Sequence, residues 1–152
     1  MVHEQIAEGP VYCLWLDPQF AESGRMLAGV RNGIYGSSDR GQTWEVLAEL
    51  PGSVLSLAGD EHVVLAGVHN SGVFKSEDGG QTWAAAGGIV ARGFARLQAS
   101  DGTLYAMGPQ EGIYTSTDGG VTWTAMEGLD DYLPITSLHV GSDGAVFASS
   151  HE

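Results

Sequence analysis

Short apolar runs cut by glycine, aspartate and proline fill the chain, and they recur in a fixed order of four. VYCLWLDP, SVLSLAGD, GFARLQASD and PITSLHVGSD come first in each cycle, followed by RMLAGV, HVVLAGV, GTLYAMG and GAVFASS. Next stand the glycine-led runs GIYGSS, GVFKSE and GIYTST, and last the runs opening at a tryptophan, TWEVLAEL, TWAAAGG and TWTAMEGL. β-Branched and aromatic residues dominate these runs, and turn formers separate them, so each predicts a strand joined to the next by a tight turn.

The cycle has a period. Trp44, Trp83 and Trp123 are spaced by 39 and then 40 residues, and each closes the same phrase: SSDRGQTW, SEDGGQTW and STDGGVTW. Four antiparallel strands repeating at that interval predict the blades of a β-propeller. The phrase falls in the turn between the third and fourth strands, and its spelling is turn chemistry. A short carboxylate (Asp39, Asp78, Asp118) accepts from backbone N–H groups of its own turn, and a glycine (Gly41, Gly80, Gly120) takes a conformation closed to other residues. Hydroxyls at Ser37, Ser76, Ser116, Thr43, Thr82 and Thr122 close the loop, and the tryptophan buries a large apolar face. Three identical acids in three equivalent turns do not share one site, so they read as structural. These residues resemble the Asp-box, or bacterial neuraminidase repeat, over nearly the whole chain. The resemblance implies an all-β fold of the sialidase-like, WD40/YVTN/BNR-like kind.

Counted this way, residues 11–50, 51–90 and 91–130 make three four-stranded blades, and residues 131–152 supply the first two strands of a fourth. The segment EQIAEGP at residues 4–10 matches EVLAELP at residues 45–51, so residues 1–10 read as a lone outer strand without its own blade. A propeller typically closes with about four to eight blades. The expectation is therefore an incomplete propeller in residues 1–152, an arc of a larger ring or one completed by self-association. Head-to-tail pairing is the simplest form, with the strand at 4–10 of one copy completing the sheet at 131–152 of the other. An open arc exposes apolar faces from runs such as VYCLWL and ITSLHV, which argues against a solitary monomer.

Composition narrows the function classes. Hydrophobic residues at 43% and charged residues at 16% are a globular balance, and the 23 glycines recur at fixed turns of the repeat. Nineteen acidic residues against six basic ones give a net charge of −13, which repels phosphate backbones and anionic membrane surfaces. Nucleic acid and membrane are thus excluded as partners. Cys13 is single and flanked by Tyr12 and Leu14, which places it in a strand as a small core residue. Residues 1–12 carry no export signal and no run is long enough to span a bilayer, so the default location is cytoplasmic.

The resemblance also covers sialidases, xyloglucan-active and related glycoside hydrolases, sortilin-type receptors and a photosystem II assembly factor. In such propellers the Asp-box turns lie away from the ligand face. Function then falls to the loops between second and third strands and between blades, which vary while the scaffold repeats. Candidate binding residues there are Arg31, Asn32, His69, Asn70, Gln110 and Glu111, with Asp130, Asp131 and Tyr132 from an inter-blade segment. Arg96 joins them as the odd charge among the innermost strands, opposite Cys13, Ser56 and Ser137. It reaches the central channel to meet an anion, or it pairs with an acid such as Asp130 or Glu111, the commoner outcome.

Glycoside hydrolysis needs two carboxyl groups flanking the scissile bond, and nothing in the sequence pairs Glu111, Asp130, Asp131 or Glu152. The resemblance to sialidases would imply three arginines gripping a carboxylate and a tyrosine nucleophile, and Arg25, Arg31, Arg40, Arg92 and Arg96 form no matching arginine motif. No cysteine and histidine spacing predicts a metal site, no cofactor is expected, and no catalytic residue is assigned. The sequence thus points to a non-enzymatic scaffold or recognition module for a protein or glycan. Its alternative is a fragment of a sialidase-like or xyloglucanase-like hydrolase whose catalytic residues lie outside this chain.

Overall fold

The structure is a computed structural model that describes residues 6, 9–87, 89, 96–108, 110–129 and 133–150. Three four-stranded antiparallel sheets and one two-stranded sheet follow one another along the chain. The first holds β1 (Cys13–Leu16), β2 (Met26–Val30), β3 (Gly33–Ser37) and β4 (Glu45–Glu49). The second holds β5 (Val54–Gly59), β6 (Val64–Val68), β7 (Gly72–Ser76) and β8 (Ala84–Ala85). The third holds β9 (Arg96–Ser100), β10 (Thr103–Gly108), β11 (Gly112–Ser116) and β12 (Thr124–Ala125). The last sheet pairs β13 (Ile135–Val140) with β14 (Val146–Ser150).

Every strand pairs with its neighbour in sequence, as hairpins require, and the registers repeat. Cys13 lies opposite Gly29, Ser56 opposite Gly67, Arg96 opposite Met107 and Ser137 opposite Ser149. Two features depart from the strand pattern. A four-residue helix, α1 (Phe20–Ser23), interrupts the connection from β1 to β2 and ends on Gly24 in the left-handed region. β8 and β12 are only two residues long. Ala84, Ala85 and Ala86 follow Trp83 where Val46 and Leu47 stand after Trp44, and alanine has little side chain to hold a strand such as β8 in place.

Sheets pack face to face in sequence order. Between the first and second lie Trp15, Leu27, Ile34, Val54, Val64 and Val68. Leu65, Val73, Leu97 and Leu104 fill the next interface, and Met107, Ile113, Ile135 and Leu138 the one after. Burying each such side chain contributes about 1.5–3 kcal/mol, so the interfaces hold the arc together.

A fourth cluster lies on the far side of the first sheet, where Ile6 packs on Ala28, Val30 and Tyr35 with Val11 and Trp44. Ile6 is 3% exposed. In the match of residues 4–10 to 45–51 it corresponds to Leu47, which packs on the interface between the first two sheets. Ile6 therefore covers the first sheet as Leu47 covers the second. The described residues Ile6, Gly9 and Pro10 belong to no strand; the rest of the expected outer strand lies outside the described residues. No helix among the described residues is long and apolar enough to cross a membrane.

Candidate functional site

Hydrogen bonds in the three Asp-box turns repeat almost atom for atom. The hydroxyls of Ser37, Ser76 and Ser116 donate to Oδ1 of Asp39, Asp78 and Asp118 at 2.7–2.8 Å. The same serine oxygens accept the N–H groups of Gly41, Gly80 and Gly120 at 2.8–2.9 Å. Each carboxylate also accepts the backbone N–H (2.9 Å) and the hydroxyl (2.5 Å) of Thr43, Thr82 or Thr122. Trp44, Trp83 and Trp123 donate their indole N–H to the glycine carbonyl.

Bonds led by the threonine hydroxyls hold the carboxyls of Asp39 and Asp78 down at about 2, and that of Asp118 lower still. A group so depressed stays ionised and is a poor proton donor near neutral pH. The second turn is also tied to the first sheet. Arg25 donates to the carbonyl of Gly79 at 2.5 Å, lies 3.8 Å from Asp17, and would be struck by a Cβ at position 79.

The loops between second and third strands sit one sheet apart and share a backbone task. Asn32 and Asn70 have φ of 63° and 59°, a left-handed conformation asparagine tolerates better than most residues. Asn32 N–H donates to the carbonyl of Gly52, its carbonyl accepts from Leu50, and His69 N–H donates to the carbonyl of Ser53. These bonds tie each hairpin to the following inter-blade loop. His69, Asn70 and Gln110 are exposed. Glu111 folds back so that its carboxylate accepts the N–H of Gln110 at 3.2 Å. Asp130, Asp131 and Tyr132 lie outside the described residues.

Two concavities receive candidate residues. One, of about 440 Å³, lies at the outer part of the first sheet, where Arg31 and Asn32 meet Tyr35, Val46, Glu49 and Pro51. The other, of about 400 Å³, opens where the innermost strands converge. It draws Cys13 from β1, Ser56 from β5, Arg96 and Gln98 from β9, and His139 from β13. His139 is not among the site residues expected from the sequence, because its place at the rim of this concavity depends on how separate sheets meet. Arg96 is exposed and, among the described residues, makes no ion pair. Of the acids expected to pair with it, Glu111 is turned to its own loop and Asp130 lies outside the described residues.

The neighbouring polar groups in this second concavity are occupied. Ser56 accepts the N–H of Leu97 at 2.9 Å, and the Gln98 amide both donates to and accepts from the backbone of Val140 at 3.0 Å. The Cys13 thiol donates to the carbonyl of Val54, and burial pushes it up to about 12, so it stays protonated and a poor nucleophile at neutral pH. Among the described residues no group of three or more histidine, cysteine or acidic side chains is placed to hold a metal ion.

Residues 114–125 match the family model of the BNR/Asp-box repeat. No curated protein matches the sequence. Among solved structures, the chain is similar to an ancestral GH74 enzyme, with TM-score 0.77 and 20% identity over 94% of this chain and 22% of that one. The GH74 xyloglucanase from Xanthomonas campestris gives TM-score 0.72 and 23% identity over 92% and 26% of the two chains. YCF48 bound to D1 peptide gives TM-score 0.65 and 18% identity over 80% and 41%. The chain thus spans between about a fifth and two fifths of these proteins. It is an all-β, partial β-propeller, and its third Asp-box turn carries the BNR/Asp-box match.

Proposed function

We propose that the chain is a non-enzymatic propeller module, a scaffold that recognises a protein or glycan partner and completes itself head-to-tail with a second copy. The observation that carries this reading is where the carboxylates go. Asp39, Asp78 and Asp118 are consumed by their own turns, and Glu111 is folded onto Gln110. Among the described residues, Glu49 alone represents the acids in the first concavity, and the second is lined by none. Hydrolysis of a glycosidic bond asks for two opposed carboxyls. A propeller whose structure is described as bound to a peptide supports the recognition role.

The second reading, a fragment of a glycoside hydrolase with its catalytic residues elsewhere, is favoured by the likeness to two GH74 enzymes. A panel of aryl glycosides and xyloglucan oligosaccharides separates the two. The scaffold reading expects no turnover by this chain; hydrolysis that disappears in Glu49→Gln, Glu111→Gln, Asp130→Asn or Asp131→Asn would replace it with an enzyme.

A further inference from the structure

The sheets treat their outer edges differently. β4 carries Glu45 and Glu49, while β8 and β12 are two residues long, and charge and shortness both keep an edge from pairing with another chain. β14 is five residues long, holds no charge and no proline, and among the described residues pairs only with β13. The carbonyls of Ala145 and Ser149 accept from Gly141 and Thr136 on the β13 side. Backbone groups of successive residues point to opposite sides of a strand, so the N–H and C=O groups of Val146, Ala148 and Ser150 face the open edge. The other sheets show what such an edge receives. Their registers put Ala28, Ala66 and Ala106 at the position of Ala148, and each of the three lies directly opposite an aromatic residue of a glycine-led third strand: Tyr35, Phe74 and Tyr114. Those alanines are 0% exposed. Ala148 is exposed, although it sits opposite Leu138 on the face turned to the third sheet.

We propose that the open edge of β14 binds an extended segment of a partner protein, added antiparallel as a third strand, with the pattern glycine, isoleucine or valine, tyrosine or phenylalanine, any residue, serine. The registers of the first three sheets set that glycine opposite Ser150, the aromatic residue opposite Ala148 and the serine opposite Val146. Main-chain bonds give such a strand its affinity, and the space over Ala148 selects the aromatic side chain. A second copy of this chain is a poor donor, because its own β3, β7 and β11 are each paired on both sides. Nor does the segment at 4–10 fit, since it matches the fourth-strand run at 45–51, and head-to-tail completion leaves the third-strand slot open. The proposal rests on the scaffold reading and names the kind of protein partner that reading requires.

Titrating the full chain with the capped peptide acetyl-KGIYTSK-amide, followed by backbone amide NMR, tests it; the flanking lysines suit a chain at −13. The expected result is saturation with the largest shifts in β14. Three altered peptides should each bind more weakly by about tenfold or more: one with alanine for the tyrosine, one with that tyrosine N-methylated to remove its N–H, and one with the same residues scrambled. Ala148→Tyr fills the slot and should cost the same, whereas Leu14→Ser with Leu16→Ser, on the first sheet, should leave the affinity unchanged. Failure to saturate, largest shifts outside β13 and β14, or equal binding by any altered peptide overturns the proposal. So does an unchanged affinity in Ala148→Tyr. Should that variant unfold, the N-methylated peptide decides the matter on the unaltered chain. A monomer that still binds the peptide would count against head-to-tail completion alone, and an assembling chain that ignores the peptide would count against this proposal alone.

Discussion

At the first sheet, the side turned away from the rest of the arc carries exposed Tyr12, Leu14, Leu16 and Val46, and Ile6 already covers its centre. At the last sheet, the outward side of β13 and β14 carries Ser137, His139 and Ser149, with Phe147 as its large apolar residue. Both ends come from the same repeat, yet one resembles a cut core and the other a wet surface. Within a propeller the two faces of a blade are not equivalent, since each is shaped for a different neighbour. On the head-to-tail proposal, the difference would assign the work of association mainly to the first sheet.

The largest effect should come from the residue that covers that first face. Ile6→Ala empties a site that is 3% exposed, and a loss of about 2–4 kcal/mol is expected in urea unfolding. A change below about 0.5 kcal/mol would mean that Ile6 packs only incidentally and that the two ends are alike.

Association tests the comparison directly. Leu14→Ser with Leu16→Ser touches residues that are 46% and 48% exposed, so sedimentation should show the oligomer weakened with stability changed by less than about 1 kcal/mol. Phe147→Ser, at 63% exposure, should weaken it less. An intact chain that sediments as a well-behaved monomer would defeat the head-to-tail proposal. Equal losses at both ends would defeat the comparison.

Acid gives the smallest and most graded effect. Asp39 and Asp78 titrate at about 2 in the folded chain and Asp118 lower, all below the ordinary aspartate range. A depressed folded value adds stability above the unfolded value, about 3.9, and that stability is lost as pH falls toward the folded value. The melting temperature should therefore drop between about pH 4 and pH 2. The first three sheets should respond and the last should not, because β13 and β14 bear no Asp-box. Replacing Asp39, Asp78 and Asp118 with asparagine should flatten the profile.

Turn chemistry is local, which is why the Asp-boxes and the strand order were legible in the sequence: Ser76, Asp78, Gly80 and Thr82 bond almost wholly among themselves. Ile6, in the stretch 4–10 that matches 45–51, packs on the first sheet. What the sequence hid depends on packing across sheets. Of the run ITSLHV, Ile135, Leu138 and Val140 turn inward, a phase set by the irregular register between Ile135 and Ser137. That Arg96 and His139 border one concavity is hidden for the same reason, since they are 43 residues apart and no local rule relates them.

The cross-sheet hydrogen bonds have a mechanical meaning. First and second sheets are joined by Arg25 on Gly79, Cys13 on Val54 and Trp15 on Gly59, and third and fourth by the two-point grip of Gln98 on Val140. Between second and third, among the described residues, one side-chain bond spans the joint: Ser56 accepting from Leu97. The middle joint is thus the least stitched by side-chain hydrogen bonds, and its hold rests on the apolar contacts of Leu65, Val73, Leu97 and Leu104.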